Sequence, residues 1–258
     1  MVRHSIETAV ANLVGQKVAR PVGTLSGHAA GLPFEVLVHA NLVAQWPDRC
    51  LRHFEMLNEI LTANPQALSV RERLELFGPP SVASLVARGR APTAGWSRVN
   101  MFEEKQNDTA ESIILKEARY DLRGNPVTLV DVKSHNNAKR GQPPNIMSAG
   151  KLANACKLAL QEGSVQFDII YVAVLFDPSE STLDCTEVRT VSIFNVANSL
   201  YINWAAAEQI QFVPYEVDQD FQGTKEDWAR NFLTTFCDSL ERKIGKDAAR
   251  LRDYRSVL

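Results

Sequence analysis

An acidic and a basic side chain stand two positions apart where a short apolar run ends. The segment TLVDVKS, residues 128–134, predicts a β-strand that ends near Asp131 and Lys133. Side chains on a strand alternate between its two faces, so this pair would share one face while Val132 points to the other. The pair is suited to chemistry at a phosphate, or it is a surface ion pair at a strand end, which would contribute little to stability.

A second carboxylate on a neighbouring strand would make this pair a candidate metal site. Glu111 precedes the strand-like run SIILK, which the turn-forming residues DLRGNP separate from the run VTLVDV, so we predict a hairpin. If Glu111 lies opposite Asp131, two carboxylates and the carbonyl of Val132 offer the oxygen ligands that Mg²⁺ prefers. Such an ion lowers the pKa of a bound water, and Lys133 would position or deprotonate that water for phosphodiester hydrolysis.

The acid-x-lysine spacing alone is a weak signal. It occurs twice more in the chain, in the polar stretch from Glu103 and in the predicted C-terminal helix from Glu241. Only Asp131 follows an apolar strand and has another strand-borne acid upstream. The spacing by itself therefore leaves both nuclease chemistry and a surface ion pair open.

The elements that would position these residues change in type along the chain. Apolar residues recur at three and four positions in SIETAVANLVGQKV from Ser5, PFEVLVHANLVAQW from Pro33 and CLRHFEMLNEILTAN from Cys50, which predicts helices. The second half contains the strand-like runs SIILK, VTLVDV, FDIIYVAVLF and EVRTVSIFNV, the helical run SAGKLANACKLALQEG, and an amphipathic segment from about Thr224. This order predicts an α/β or α+β fold, with helices around a central mixed sheet, in a single domain over residues 1–258.

Composition limits the classes of protein and partner. The chain of 258 residues is 45% hydrophobic and has a formal net charge of −2, so any polyanion must be held by a local basic surface. No apolar run reaches the roughly 18 residues that span a bilayer, and the N-terminal residues lack a signal peptide pattern, so we expect a cytoplasmic protein without membrane contact. The four cysteines lie far apart, and we expect reduced core thiols.

Several longer segments together resemble a known family. In chain order they are GTLSGHAAGLPFE (23–35), MFEEKQNDTA (101–110), VDVK (130–133), QPPNI (142–146) and LYINWAAAEQIQF (200–212). They resemble the HincII/HindII group of type II restriction endonucleases, over about residues 14–236. Because EEKQNDTA and YINWAAA are far more specific than an acid-x-lysine spacing, the resemblance favours the nuclease over the surface ion pair.

The resemblance implies a PD-(D/E)xK fold and a homodimer that cuts double-stranded DNA with Mg²⁺. In this group the site is the palindrome GTYRAC, the ends are blunt, and the enzyme is paired with a DNA methyltransferase in a restriction-modification system. The alternative from another class is a DNA-binding module of the same fold that does not cleave, if Glu111 cannot complete the metal site.

The resemblance also assigns the catalytic positions. Asp131 and Lys133 match the second acid and the lysine of the motif, and Glu111 falls on its first acid, where the group carries Asp. Asp108 is a rival first acid. On an extended strand residues 108 and 111 would face opposite ways, so only one of them could point at Asp131, and the motif favours Glu111. Glu35 resembles an additional acid that some enzymes of this fold bring near the metal; otherwise it is a solvent-facing helix residue.

Two segments match DNA-contacting loops of the group. In the first, at about residues 134–147, Gln142 and Asn145 match residues that approach the minor-groove side near the site centre. A wedge there would favour a pyrimidine-purine step, which deforms easily. Lys139 and Arg140 add positive charge for the DNA backbone.

The second loop, at about residues 198–212, matches the major-groove readers of the group. The amide of Asn203 can donate and accept, and so can read an adenine edge, while the hydroxyl of Tyr201 can contact a single base atom. Trp204 and the alanines at 205–207 are expected to pack rather than to read bases.

Overall fold

The computed structural model describes residues 2–22, 28–47, 50–52, 113–115, 127–139, 145–165, 167–196, 200–212 and 221–258. The α-helices in these ranges are α1 (Val2–Val10), α2 (His28–Gln45), α3 (Ala149–Gln161) and α4 (Lys225–Arg255). None of these four is both long and apolar enough to cross a membrane. The strands are β1 (Lys17–Ala19), β2 (Cys50–Arg52), β3 (Ile113–Leu115), β4 (Val127–Asn136), β5 (Asn145–Ser148), β6 (Phe167–Pro178), β7 (Thr182–Ser192), β8 (Tyr201–Asn203) and β9 (Gln209–Gln211).

The larger sheet has six strands in the order β1-β7-β6-β4-β3-β2. Its central strands β4 and β6 are parallel, whereas each other neighbouring pair in it is antiparallel. Parallel neighbours need a crossover connection, and α3 lies in the connection between β4 and β6. The antiparallel pairing of β3 with β4 confirms the predicted hairpin partners. The prediction of a mixed central sheet with flanking helices is confirmed as well.

Helices cover both faces of this sheet. On one face, the ring of Phe176 in β6 stacks on Phe34 of α2, with 5.4 Å between ring centroids. On the other face, Phe167 of β6 lies 5.6 Å from Phe194, which meets Trp228 of α4 edge-on at 5.0 Å. Residues 167 and 176 are an odd number of positions apart, as opposite faces of one strand require. Because both faces of the sheet are covered, β6 is a continuous apolar run rather than an alternating one.

A second, smaller sheet has three antiparallel strands in the order β5-β9-β8. Ile202 of β8 and Ile210 of β9 are buried on its inner side. Phe212, directly after β9, meets Tyr171 of β6 edge-on with 5.6 Å between ring centroids. This contact places the smaller sheet on the side of the larger sheet that Tyr171 faces.

The second helix begins earlier than predicted. We expected it to start at Pro33, but α2 starts at His28 and contains Pro33. The first turns of α2 approach β4 closely, because a Cβ on Gly31 would lie 3.2 Å from Oγ of Ser134. The first helix also starts before its predicted cap, Ser5, which lies within α1.

The segment that starts at Cys50 was predicted as a helix, and its first three residues contradict this. Residues Cys50–Arg52 form β2, which pairs with β3 at the edge of the larger sheet. Pairing with a distant strand therefore overrides the local helical periodicity here. The rest of that segment, and the other helical pieces predicted up to about residue 90, lie outside the described residues.

Cys50, Cys156 and Cys185 are buried, and Cys237 is exposed on α4; all four are free thiols. The prediction of core thiols is right for the first three and wrong for Cys237, whose helix buries only one side. Burial raises the pKa of Cys156 to about 12 and that of Cys185 to about 11, so both stay protonated at neutral pH.

The C-terminal helix starts where the sequence predicts, because Thr224 caps it. Oγ1 of Thr224 accepts a hydrogen bond from the main-chain nitrogen of Asp227 at 3.1 Å. The carboxylate of Asp227 in turn accepts one from the main-chain nitrogen of Thr224, also at 3.1 Å. This reciprocal capping box satisfies two donors that a helix start leaves unpaired.

We expect Thr224→Ala to lower the free energy of unfolding by about 1 kcal/mol, as loss of an N-cap does. Thr234→Ala, within the same helix, is the matched control and should cause no such loss, because alanine is the better helix former. Chemical denaturation at neutral pH measures both.

The hydrogen bonds of Thr224 lower the pKa of Asp227, so their stabilisation is present at neutral pH and is lost as the pH falls through that lowered pKa. An equal loss in both variants would contradict the cap.

Candidate active site

The acid and the lysine singled out from the sequence lie together on β4. Oδ2 of Asp131 is 3.0 Å from Nζ of Lys133, as expected for side chains two positions apart on one face. The side chain of Asp131 is 2% exposed and that of Lys133 is 25% exposed. Burial makes an ion pair electrostatically stronger and costly to desolvate. The reading of Asp131 and Lys133 as a surface ion pair is therefore wrong.

The register of the sheet shows which way this pair faces. Asp131 is paired with Tyr171 in the parallel β4–β6 ladder, and paired residues of neighbouring strands share a face. Since the ring of Tyr171 meets Phe212, Asp131 and Lys133 face the side that carries the smaller sheet. Val132 lies on the opposite face and is buried, as predicted from the alternation.

Glu35 does not face solvent. It lies on α2 and is 4% exposed. Its Oε1 and the Oγ of Ser134 are each 3.2 Å from the position of a Cβ built on Gly31, so the carboxylate approaches β4 one residue beyond Lys133. The solvent-facing reading of Glu35 is therefore wrong, and its role as an additional acid near a metal stays a prediction.

The first acid of the motif cannot be located in the same way. Glu111 and Asp108 lie outside the described residues, just before β3, whose first residue Ile113 pairs with Val130. Within the described ranges, no three His, Cys, Asp or Glu side chains stand together as a metal site. The carboxylate of Asp131 has the oxygen chemistry that Mg²⁺ prefers, so it fits such an ion as one ligand of several.

The two segments predicted as separate DNA-contacting loops meet in the smaller sheet. In the first, β4 continues to Asn136, a 3₁₀ turn covers Asn137–Lys139, and β5 begins at Asn145. In the second, β8 and β9 flank a 3₁₀ turn at Trp204–Ala206. Asn145 is paired with Gln211 in the β5–β9 ladder, which joins the two segments. The described parts of both segments thus contain regular strands and turns where loops were predicted, while Gln142 and Arg140 lie outside the described residues.

Polar side chains line the outer face of the smaller sheet, opposite the buried Ile202 and Ile210. Tyr201, 61% exposed, is paired with Gln211, and Asn203 with Gln209, so these four share the outer face. Sequence reasoning identified Tyr201 and Asn203 but missed the two glutamines. The alternation in QIQF, polar at 209 and 211 and apolar at 210 and 212, is the signal that could have found them.

The side chain of Asn203 is held in place by three hydrogen bonds. Its Oδ1 accepts from the main-chain nitrogens of Ala205 at 3.0 Å and Ala206 at 3.2 Å, which caps the 3₁₀ turn. Its Nδ2 donates to Oε1 of Gln211 at 3.2 Å. Asn203 is therefore oriented by its own chain before any partner binds.

The turn after Asn203 is anchored to α4 through its tryptophan. Nε1 of Trp204 donates to Oγ of Ser239 at 2.9 Å, and its ring lies 5.9 Å from that of Phe236. Packing was predicted for Trp204 and is confirmed. It is wrong for Ala205 and Ala207, which are exposed.

Comparison with known proteins decides the family. A family model described as Restriction endonuclease HincII matches residues 9–251. The chain belongs to the HincII restriction endonuclease family. Type II restriction enzyme HincII of Haemophilus influenzae and type II restriction enzyme HindII of Haemophilus influenzae strain Rd are each 42% identical to it over 234 residues, which is 90% of this chain and 88% of each relative.

Membership of the HincII family confirms the resemblance seen in the sequence and extends it at both ends. It also confirms the class of enzyme, a restriction endonuclease, whose substrate is DNA. Type II restriction endonucleases generally need a divalent metal ion. A buried acid beside a partly exposed lysine, on a central strand of a mixed sheet, agrees with that class.

Proposed function

We propose that this chain is a homodimeric type II restriction endonuclease that uses Mg²⁺ to hydrolyse both strands of DNA at the palindrome GTYRAC, leaving blunt ends. The observation that carries the proposal is the buried Asp131–Lys133 pair, 3.0 Å apart on the face that also bears the smaller sheet. A two-fold dimer suits a palindrome, since each subunit then meets an equivalent half-site and cuts one strand.

The catalytic roles follow from the chemistry of each group. Asp131, Glu111 and the carbonyl of Val132 would hold Mg²⁺, which lowers the pKa of a bound water and offsets charge on the phosphate. Lys133 positions the attacking water or takes its proton, since its amine lies beside the carboxylate that would hold the metal. The buried setting supports this role because charges act more strongly where water is excluded.

The binding roles follow from the position of each segment. Tyr201 and Asn203, on the outer face of the smaller sheet, would read base edges in the major groove. Gln142 and Asn145 would act from the minor-groove side. Lys139 and Arg140 would contact phosphates, which orient the protein without reading sequence.

The whole chain, residues 1–258, would form a single domain that carries both the catalytic residues and the residues that recognise the DNA sequence. Like other enzymes of restriction-modification systems, it would be paired with a DNA methyltransferase that recognises the same site. This pairing predicts that DNA methylated by the partner enzyme resists cutting.

Digestion of plasmid DNA tests the proposed function. Purified protein with Mg²⁺ should give discrete fragments, and sequencing their ends should show blunt cuts within GTYRAC. A chelator should stop the reaction and excess Mg²⁺ restore it. Discrete fragments from another sequence would overturn the site but not the enzyme. Tight binding to DNA without cuts, with Mg²⁺ present, would instead identify a non-cleaving DNA-binding module.

Substitutions at Glu111 and Asp108 separate the two candidates for the first acid. If Glu111 is a metal ligand with one methylene more than Asp, Glu111→Asp should keep or raise the rate of cutting, and Glu111→Ala should abolish it. Asp108→Ala is the matched control and should still cut. An inactive Asp108→Ala variant together with an active Glu111→Ala variant would identify Asp108 as the first acidic ligand.

A further inference from the structure

We propose that Gln211 determines sequence specificity by positioning Asn203, and that the amide of Asn203, held in this way, reads a guanine rather than an adenine. This inference rests on the proposed function and adds to it the identity of one base contact. Asn203 and Gln211 are called the amide pair below.

The orientation of Asn203 is determined by its main-chain neighbours. Two main-chain N–H groups, of Ala205 and Ala206, point at one branch of its amide, and N–H groups donate only to oxygen. That branch is therefore Oδ1, and the other branch is Nδ2. The usual uncertainty between the two ends of an asparagine amide does not arise here.

The orientation of Gln211 follows from that of Asn203. Nδ2 of Asn203 donates to the nearer branch of the Gln211 amide, 3.2 Å away, so that branch must be Oε1. Both acceptor oxygens of the amide pair are thus engaged in the protein. The group that Asn203 has left for a base is the second N–H of Nδ2.

A donor without an acceptor beside it prefers one purine edge. In the major groove guanine presents two neighbouring acceptors, N7 and O6, whereas adenine presents N7 beside the donor N6 amino group. Because both purines offer N7, the base is distinguished at C6: there the N–H of Asn203 would meet the acceptor O6 of guanine or the opposing N6 amino group of adenine. An unmatched donor pair costs free energy, so the same geometry that accepts guanine rejects adenine. The adenine edge expected from the sequence required the acceptor Oδ1, which the 3₁₀ turn already uses.

The position of the amide pair fits a DNA contact. Gln211 is paired across the strands with Tyr201, which is largely exposed on the outer face of the smaller sheet. Phe212, the next residue, faces inward and touches Tyr171, the residue paired with Asp131. The amide pair is thus one residue from the contact that joins the reading face to the catalytic strand.

Gln211→Leu is the central variant. Leucine has about the size of glutamine but cannot accept the hydrogen bond from Asn203. Gln209→Leu is the matched control, since Gln209 lies on the same strand and face and its amide donates to the carbonyl of Ala207 instead. Gln211→Glu is the rescue variant, because it keeps an oxygen acceptor. Circular dichroism and thermal unfolding show whether each variant is folded.

The readout is kcat/KM for oligonucleotides that carry the cut site mapped for the wild-type protein. Replacing its guanine by 7-deazaguanine removes N7, replacing it by 2-aminopurine removes O6, and inosine keeps both acceptors. For the wild type and Gln209→Leu, we expect 2-aminopurine, which lacks O6, to lower kcat/KM about tenfold, and inosine to have little effect. A loss with 7-deazaguanine alone would count against the inference, because adenine also offers N7. Gln211→Leu should be slower on normal DNA and insensitive to 2-aminopurine, whereas Gln211→Glu should recover the sensitivity.

Two results would overturn the inference. One is a wild-type enzyme that is indifferent to both guanine analogues but sensitive to removal of the adenine N6 amino group, a measurement that needs no variant. The other is a folded Gln211→Leu variant with undiminished sensitivity to the guanine analogues. Either can occur while the wild type cuts DNA at a discrete site, so failure of this inference is distinct from failure of the proposed function.

Discussion

Replacing Asp131 by asparagine is expected to lower the rate of DNA cleavage by roughly 10³-fold or more, the scale on which loss of a charge-stabilising group acts. Asparagine has the same shape, but it is a neutral and much weaker ligand for a divalent ion. Single-turnover cleavage of a supercoiled plasmid with saturating enzyme measures the effect on chemistry. Binding to the same DNA, measured with a chelator present, should change far less.

The control for Asp131→Asn is the same change at Asp184. That residue also forms an ion pair with a lysine of the larger sheet, at 2.7 Å from Lys17, but near the far edge of the sheet. Asp184→Asn should cut at the wild-type rate. Comparable losses in the two variants would mean that the fold, and not the chemistry, had been damaged. A fully active Asp131→Asn variant would remove the acid from the catalytic site.

Replacing Lys133 by methionine should lower the cleavage rate by about 10²- to 10⁴-fold, the usual contribution of a group that moves a proton in the transition state. Methionine keeps the apolar stem of the lysine and removes the ammonium. Lys133→Arg should not restore activity, because a guanidinium does not give up its proton near neutral pH and is larger and planar. The same single-turnover assay, repeated across pH, measures both variants.

Lys133→Met should also affect the stability of the folded protein, because it removes one partner of the ion pair with Asp131. Without the ammonium, the Asp131 carboxylate keeps its burial and loses an attractive charge, so Lys133→Met should lower the free energy of unfolding measured by chemical denaturation at neutral pH. Lys17→Met, at an exposed pair, should change the free energy of unfolding far less. An active Lys133→Arg variant would show that charge alone is needed at this position.

The predictions from the sequence were most accurate where the spacing of apolar residues and the type of the polar residues indicate the same element. The strand that carries Asp131 and Lys133 was found because an apolar run ends in charged residues. Alternation also predicted that both side chains share a face, and the 3.0 Å contact confirms it. The C-terminal helix was found because its apolar residues recur at helical spacing from about Thr224, which the structure shows to be its N-cap.

Other features depend on residues far apart in the chain, and local patterns cannot reveal them. Nothing near Glu35 indicates that Gly31 lets its helix approach β4 closely enough to bury the carboxylate. The helical periodicity after Cys50 gives no sign that residues 50–52 form a strand that pairs with β3. Likewise, Asn145 and Gln211 are joined only by the β5–β9 ladder, so two segments that look like independent loops form one sheet.

The short path from β4 through β5 into α3 bears on protein engineering. The strand with the acid and the lysine is followed, within one crossover, by β5 of the smaller sheet, which we propose faces the bases. On that proposal, DNA cleavage and sequence recognition share one frame, and a chimera that transplants the smaller sheet would also replace part of the connection that follows Asp131 and Lys133. New specificities in this architecture should be sought by point substitutions on the outer face of the smaller sheet, with the backbone of the crossover left intact.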